Sequence, residues 1–134
     1  MRHRLLAACA MGMLVLSLPG CGGVCSSEML TSQNAPGGQQ ARLVRGDCGA
    51  TSSFVYEVRL AVPGDAPAAG KVVLRFDSNH AMDWPQDDAN IVRITWQGDR
   101  QLDVTVMRPV RVFKLRSNVS GVAIHFNLPR GSEF

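Results

Sequence analysis

The chain has 134 residues, 46% of them hydrophobic, and carries 14 Lys or Arg against 11 Asp or Glu, for a formal net charge of +3. Two of the basic residues lie within the first 20, so the remainder holds twelve basic against eleven acidic side chains, a balance of +1. This near-neutral balance argues against general affinity for nucleic acids. The remainder is long enough for one domain with one core.

The first 20 residues are predicted to be an export signal. Arg2 and Arg4 give a positive start, and the uncharged run over residues 5–18 fits a signal core but is shorter than the ~20 residues that span a bilayer. The sequence Leu18-Pro19-Gly20-Cys21 resembles the lipobox of bacterial lipoprotein signals. The resemblance implies that residues 1–20 are removed and that Cys21 carries acyl chains such as palmitate. A plain secretory signal cut elsewhere and an uncleaved anchor are the alternatives.

Lipidation would tether the protein to the bacterial cell envelope, because a residue with at least two acyl chains anchors stably to a membrane. In the lipoproteins that this N-terminus resembles, an aspartate directly after the cysteine tends to retain the protein at the inner membrane. Gly22 stands there in this chain. The expected location is therefore the outer membrane, facing the periplasm.

The four cysteines reduce to one candidate disulfide. Cys9 leaves with the signal and Cys21 carries the lipid, which leaves Cys25 and Cys48 in a compartment where disulfides persist. A bridge between them would contribute ~3 kcal/mol by constraining the unfolded chain. Two thiols that never meet are the alternative.

Residues 21–39 are rich in Gly, Ser, Gln and Asn and are predicted to form a flexible tether. The β-domain is predicted to cover residues 40–130. Residues 131–134, Gly-Ser-Glu-Phe, look like a translated cloning-site scar and are excluded from the predicted fold.

From residue 40 onward, hydrophobic and polar residues alternate with a period of two, which is typical of strands. Clear runs lie at 54–62, 71–77, 91–96, 102–107 and 122–128, with weaker ones at 41–43 and 110–115. Gln97-Gly98-Asp99-Arg100 is typical of a tight hairpin turn. We therefore predict an all-β domain of six or seven antiparallel strands, folded as a small barrel, a sandwich or a curled meander with one face buried.

The stretch Arg45-Gly46-Asp47-Cys48-Gly49-Ala50-Thr51-Ser52-Ser53-Phe54 resembles an Arg-Asp-Cys-Gly-Ala-Thr-Thr-x-Phe signature. The signature recurs in a family of small, uncharacterised bacterial proteins, many of them exported. Asp87-Asp88, Ile94-Thr95-Trp96 and the run from Val119 to Ile124 look similar as well, so the resemblance covers most of residues 28–128. It implies two strands joined by a turn, and it implies no activity, because none is assigned to the family.

Two stretches could carry catalytic or metal chemistry. Cys48 could be a nucleophile with His80 or His125 as its base, but a disulfide or a structural turn is the expected role. The acidic loop at 77–88 offers oxygen ligands and one imidazole, yet it lacks the spacing of an EF-hand, so a solvated loop is expected. No catalytic residue, metal site or cofactor is predicted, and the chain is not expected to be an enzyme.

Four residues are candidate partner contacts. Trp84, in a polar loop, is either tucked onto the core or an anchor for a partner. Arg108, Arg111 and Arg116 lie in a segment, residues 104–132, that has no acidic residue. They form either an anion-facing patch or, as we favour, a solvated edge strand whose charges discourage pairing.

These features predict a cell-envelope lipoprotein that serves as a structural or interaction module. Its expected partner, besides the membrane, is an envelope protein or an anionic glycan, and not a nucleic acid. The alternative is an inhibitor of a periplasmic enzyme, because lipid-anchored β-barrel lysozyme inhibitors have a similar size and a similarly small number of disulfides. That likeness is an analogy of architecture only.

Overall fold

The computed structural model describes residues 25–49 and 53–134, and the chain forms nine strands within these ranges. The strands are β1 (Ser26–Asn34), β2 (Gln40–Asp47), β3 (Val55–Ala61), β4 (Lys71–Asp77), β5 (Val92–Trp96), β6 (Gln101–Val106), β7 (Arg111–Leu115), β8 (Asn118–Val119) and β9 (Val122–Asn127). A single 3₁₀ turn, Asp88–Asn90, precedes β5. No helix within these two ranges is long and apolar enough to cross a bilayer. The predicted signal and Cys21 lie outside the described residues.

The strands form two sheets, ordered β1-β2-β3-β4-β7 and β5-β6-β9-β8. The all-β prediction is confirmed, although the described residues form nine strands rather than six or seven. The two open sheets fit a sandwich or a meander and not a closed barrel. The prediction of purely antiparallel pairing is wrong at one place, because β9 runs parallel to β6. The chain leaves β6 to form β7 in the other sheet, and it returns to lie beside β6 in the same direction.

The core lies between the sheets, where the inward face of β3 places Tyr56, Val58 and Leu60. One predicted alternation is interrupted in β4, where the consecutive residues Val73 and Leu74 are both fully buried. The register between β3 and β4 shifts there, as at a β-bulge, and one added residue lets neighbouring side chains share a face.

The predicted flexible tether is wrong over Ser26–Asn34, because this segment is strand β1 at the edge of the first sheet. Ser26 pairs with Asp47 and Asn34 with Gln40. The strand is mostly exposed and polar, so it shows none of the hydrophobic alternation that marks the other strands.

The last four residues also join the fold. The backbone N–H of Glu133 donates to the carbonyl of Val110 (2.9 Å), and the carbonyl of Glu133 accepts from the N–H of Val112 (2.8 Å). These bonds add a short bridge to the outer edge of β7. Residues 131–134 therefore contact the β-domain at the edge of β7.

The predicted disulfide is confirmed. Cys25 and Cys48 are bonded, with their Cα atoms 4.1 Å apart. They stand one step beyond the Ser26–Asp47 pair, so the bridge continues the β1–β2 register. The disulfide therefore fastens an edge strand with few buried side chains to the rest of its sheet.

Candidate functional site

One end of the sandwich, next to the disulfide, contains a pocket of about 360 Å³ that we call the end pocket. Arg45 and Tyr56 face each other across β2 and β3 at this end, and the loop after β4 folds over them. The described residues that line the pocket are Arg45, Ser53, Phe54, Tyr56, Ser78, Trp84, Pro85, Gln86 and Asp88.

A chain of hydrogen bonds centred on Asp88 holds the end pocket together. Asp88 is buried, and its Oδ2 accepts from Arg45 Nη1 and from Tyr56 Oη, both at 2.8 Å. The Tyr56 hydroxyl in turn accepts a hydrogen bond from Trp84 Nε1, also at 2.8 Å. Because these buried polar groups are paired with one another, the cost of removing them from water is offset and their positions are fixed.

Ring contacts complete the inner wall of the end pocket. The Tyr56 ring stacks on Phe76 with 5.3 Å between centroids and lies tilted against Trp84 at 5.6 Å. Trp84 is half-buried and packs against the core. Of the two alternatives for Trp84, its packing agrees with a side chain tucked onto the core, and its remaining surface faces the pocket.

Arg45 carries the only positive charge among the described residues that line the pocket. Its Nη2 bonds to Glu28 of β1, and its guanidinium lies over the Phe54 ring, 4.8 Å from the centroid. The hydrogen bond to Asp88 is the main cause that raises the pKa of Arg45. One cation and two carboxylates leave this cluster with a net negative charge.

Tyr56 is neutral in the folded protein. Burial is the main cause that raises the pKa of its hydroxyl above the ordinary 10, and the hydrogen bond that it donates to Asp88 raises it further. The described lining residues include neither histidine nor cysteine, and Cys48 is committed to the disulfide. The ionisable side chains among the described residues that line the end pocket are therefore Arg45, Tyr56 and Asp88.

Two carboxylates of the acidic loop at residues 77–88 form ion pairs with arginines elsewhere in the fold. Asp77 accepts a hydrogen bond from the N–H of Asn79 (2.8 Å) and pairs with Arg111, while Asp83 pairs with Arg108 at 3.0 Å. His80 is exposed in this loop, and His125 is exposed on β9 of the other sheet. Within the two described ranges, no three His, Cys, Asp or Glu side chains form a group that could hold a metal ion.

No family model, no curated protein and no solved structure matches the chain. The resemblance to the exported family with the Arg-Asp-Cys-Gly-Ala-Thr-Thr signature therefore stays a prediction.

The predicted arginine contacts do not form one open cationic patch. Arg108 is paired with Asp83, and Arg111 is paired with the buried Asp77 and lies over Phe113 at 5.1 Å. The bond to Asp77 is the main cause that raises the pKa of Arg111. Arg116 is exposed just beyond β7. β7 is an edge strand, which agrees with the favoured interpretation of these arginines as charges on a solvated edge strand. Acidic partners from the preceding loop neutralise two of the three arginines.

Sequence reasoning missed a buried arginine. Arg42 is 1% exposed, and its guanidinium donates to the carbonyls of Val62, Asp65 and Ala66 and to Gln40 Oε1. It holds the loop between β3 and β4 against the outer face of the first sheet. In sequence, Arg42 is one polar residue in an alternating strand, and no local pattern distinguishes it from an exposed arginine.

Proposed function

We propose that the protein is a lipid-anchored module of the bacterial cell envelope that binds another envelope component through the end pocket. One observation carries this proposal. Trp84 and Tyr56 are locked in place by hydrogen bonds around Asp88, and they stand beside an open pocket with Phe54 at its mouth. Apolar walls with a few fixed polar groups are typical of a binding site.

Rigidity favours binding at this place. The side chains of Trp84 and Tyr56 lose their rotamer freedom when the protein folds, so a partner does not have to order them again. Phe54 is 41% exposed and Met82, in the adjoining loop, is fully exposed. Exposed apolar side chains next to a preformed pocket provide the contact area that a partner would cover.

The position of the disulfide supports a contact close to the membrane. The chain enters β1 directly after Cys25, only four residues beyond the proposed lipid-bearing Cys21. A chain of four residues spans at most roughly 14 Å. Because Cys25 and the end pocket lie at the same end of the sandwich, a lipid on Cys21 would hold the pocket near the bilayer surface.

The experiment is site-specific photocrosslinking in bacterial cells that make the full chain. The crosslinker replaces Gln86, an exposed residue of the pocket lining, or in the control His125, which is exposed on the opposite sheet. We expect a discrete crosslinked product from position 86 and none of that size from position 125. Phe54→Ala in the first protein should reduce the product about tenfold, because truncation of an interface aromatic costs ~1–2 kcal/mol.

Phe54 contacts solvent, so its truncation should leave the fold intact, and circular dichroism checks this. The same products from both positions would contradict the proposal. So would a product from position 86 that Phe54→Ala leaves unchanged in a folded protein.

A further inference from the structure

A second surface lies on the outer face of the first sheet, where β3, β4 and β7 run side by side. Arg75 of β4 stands opposite Glu57 of β3 on one side and opposite Lys114 of β7 on the other. The neighbours of Glu57 and Arg75 along their strands are buried in the core, so these two side chains point outward. We call the surface formed by Glu57, Arg59, Arg75, Phe113 and Lys114 the outer patch.

A β-bulge brings an aromatic ring into the outer patch. Phe76 pairs with Val112, whereas the preceding residue Arg75 pairs with Lys114, so Phe113 is the extra residue on β7. Phe113 and Lys114 are both exposed, and 52% of the Phe113 surface is accessible. The bulge therefore places an exposed ring directly beside two opposed positive charges.

Arg75 and Lys114 lack close partners for their charges. Half of the Arg75 side chain is exposed, and only its Nε approaches a carboxylate, Glu57 Oε1, at 3.6 Å. Within residues 25–49 and 53–134, the Arg75 Nη atoms and Lys114 Nζ form no hydrogen bond and no ion pair. Like charges directly opposite each other destabilise a sheet, so an anion bound between them would offset a repulsion that the fold retains.

Glu57 is a fixed hydrogen-bond acceptor next to these cations. Its Oε2 accepts from Arg59 Nε at 2.7 Å, and Arg59 Nη1 donates to the Gly70 carbonyl at 3.1 Å. The side chains of Glu57 and Arg59 are only 17% and 15% exposed, so their packing holds them in place. Glu57 Oε1 lies beyond hydrogen-bond length from Arg75 and can still accept from a ligand hydroxyl.

A depression of about 200 Å³ extends the outer patch toward the disulfide. Val44 and Val55 supply apolar contact there, and Ser27 supplies a hydroxyl. The described residues that line the depression are Cys25, Ser27, Val44, Gly46, Cys48, Val55, Glu57, Arg59 and Arg75. From β2 to β7 the face crosses three strand spacings, or roughly 14 Å, so a ligand that reaches Lys114 from the depression is longer than one sugar ring.

We propose that the outer patch binds an acidic glycan, a chain of sugars that carries carboxylates. One carboxylate lies between Arg75 and Lys114, where charge-assisted hydrogen bonds are strongest. A sugar hydroxyl donates to Glu57 Oε1, and the apolar face of a sugar ring packs on Phe113. This site is separate from the end pocket and does not rest on its proposed function.

The chemistry of the outer patch favours a glycan over other anionic partners. Three cations and one carboxylate leave the patch with a net positive charge, which excludes a neutral glycan as the best ligand. Glu57 would repel a polyanion that is charged along its whole length, whereas it fits a ligand that alternates carboxylates with hydroxyls. β3 and β4 are paired on both sides, so their backbone groups are not available to an added peptide strand.

The test is calorimetric titration of the purified full chain with an oligomer of galacturonic acid at low salt. The fully methyl-esterified oligomer should bind at least about tenfold more weakly, because it has lost the carboxylate charges. Arg75→Gln and Lys114→Gln should each weaken binding of the acidic oligomer about fivefold. Phe113→Ala should weaken it about fivefold as well, because it removes the ring contact. Circular dichroism checks that each variant is folded.

Arg93→Gln is the matched control, because Arg93 is an exposed arginine of β5 in the other sheet and forms no ion pair with the described residues. It should leave binding unchanged, and an effect equal to that of Arg75→Gln would overturn the proposal.

Three other results would also overturn it. The first is no heat of binding with millimolar acidic oligomer. The second is polyphosphate that binds as tightly as the oligomer and ignores Phe113→Ala, which would show attraction of any polyanion. The third is binding to phosphatidylglycerol vesicles that requires Arg75 and Lys114 while the oligomer does not bind, which would assign the outer patch to a membrane surface.

Discussion

Asp88 receives both hydrogen bonds that join Arg45 to the aromatic wall of the end pocket. Asp88→Ala should lower the free energy of unfolding by roughly 3 kcal/mol, because removal of one member of a buried pair leaves its partners unsatisfied. Urea unfolding measures the change.

The neighbouring Asp87→Ala is the matched control. Asp87 is exposed and accepts one hydrogen bond, from Asn90, so its loss should change stability by less than about 0.5 kcal/mol. Equal effects of the two substitutions would show that the network around Asp88 contributes nothing particular to stability.

Tyr56 is the one tyrosine of the chain, so phenolate absorbance reports on it alone. Its folded-state pKa is raised above the ordinary 10, chiefly by burial. The neutral hydroxyl therefore contributes stability that is fully present below pH 10 and is lost as the pH rises through the folded-state pKa. In a pH titration, phenolate should be absent from the folded protein up to about pH 11 and should appear together with unfolding. Half-ionisation near the ordinary value in a folded protein would contradict the burial of this hydroxyl.

Sequence alone could identify single members of the end pocket but not their partners. Trp84 stood out as an aromatic in a polar loop, and alternation placed Tyr56 on an inward face. Asp88 and Arg45 are 43 residues apart and meet only after two sheets pack. Local patterns contain no information about such a pairing, so the network itself could not be predicted.

At the level of elements, the central strands were predictable and the edge strand was not. β3 and β6 bury alternate side chains on one sheet face, and that burial imposes the hydrophobic alternation. β1 is paired on one side and exposed over most of its length. β1 is held in place by its hydrogen bonds to β2 and by the disulfide at its start. A polar sequence can form both of these.

The loop between β3 and β4 requires glycine at its end. Gly70 has φ of +92°, and a Cβ there would collide with the Leu60 carbonyl and lie 2.7 Å from Ala61 Cβ. Gly64, in the same loop, also has φ of +92° but has open space around it. Gly64→Ala should cost about 1 kcal/mol for the left-handed conformation alone. Gly70→Ala should cost at least about 2 kcal/mol more, since backbone must also move.

Urea unfolding of the two glycine variants compares these costs. A Gly70→Ala protein that fails to fold while Gly64→Ala folds agrees with the collision. Equal stabilities would mean that the loop does not pack against the end of β3 as described.

At the level of the whole molecule, alternation predicted that strands exist but not how they divide between sheets. β6 and β7 are consecutive in sequence, yet they lie in different sheets. A period of two indicates only that one face of each strand is buried. Placing β6 and β7 in one sheet or in two different sheets would bury that face equally. The parallel β6–β9 pair follows from the division between sheets, so it could not be anticipated.

The position of β1 determines how far the proposed lipid anchor could hold the sandwich from a membrane. With a strand beginning at Ser26, the segment after Cys21 is too short to lift the sandwich far from a membrane. The proposed contact at the end pocket therefore depends on export and on a lipid at Cys21.

Mass spectrometry of the full chain recovered from bacterial membranes tests that dependence most directly. The predicted result is a mature protein that begins at Cys21, carries the added mass of acyl chains on that residue, and retains the Cys25–Cys48 bridge without reductant. A protein that still begins at Met1, or that is cleaved elsewhere and carries no lipid, would contradict the proposal of a membrane-tethered binding module.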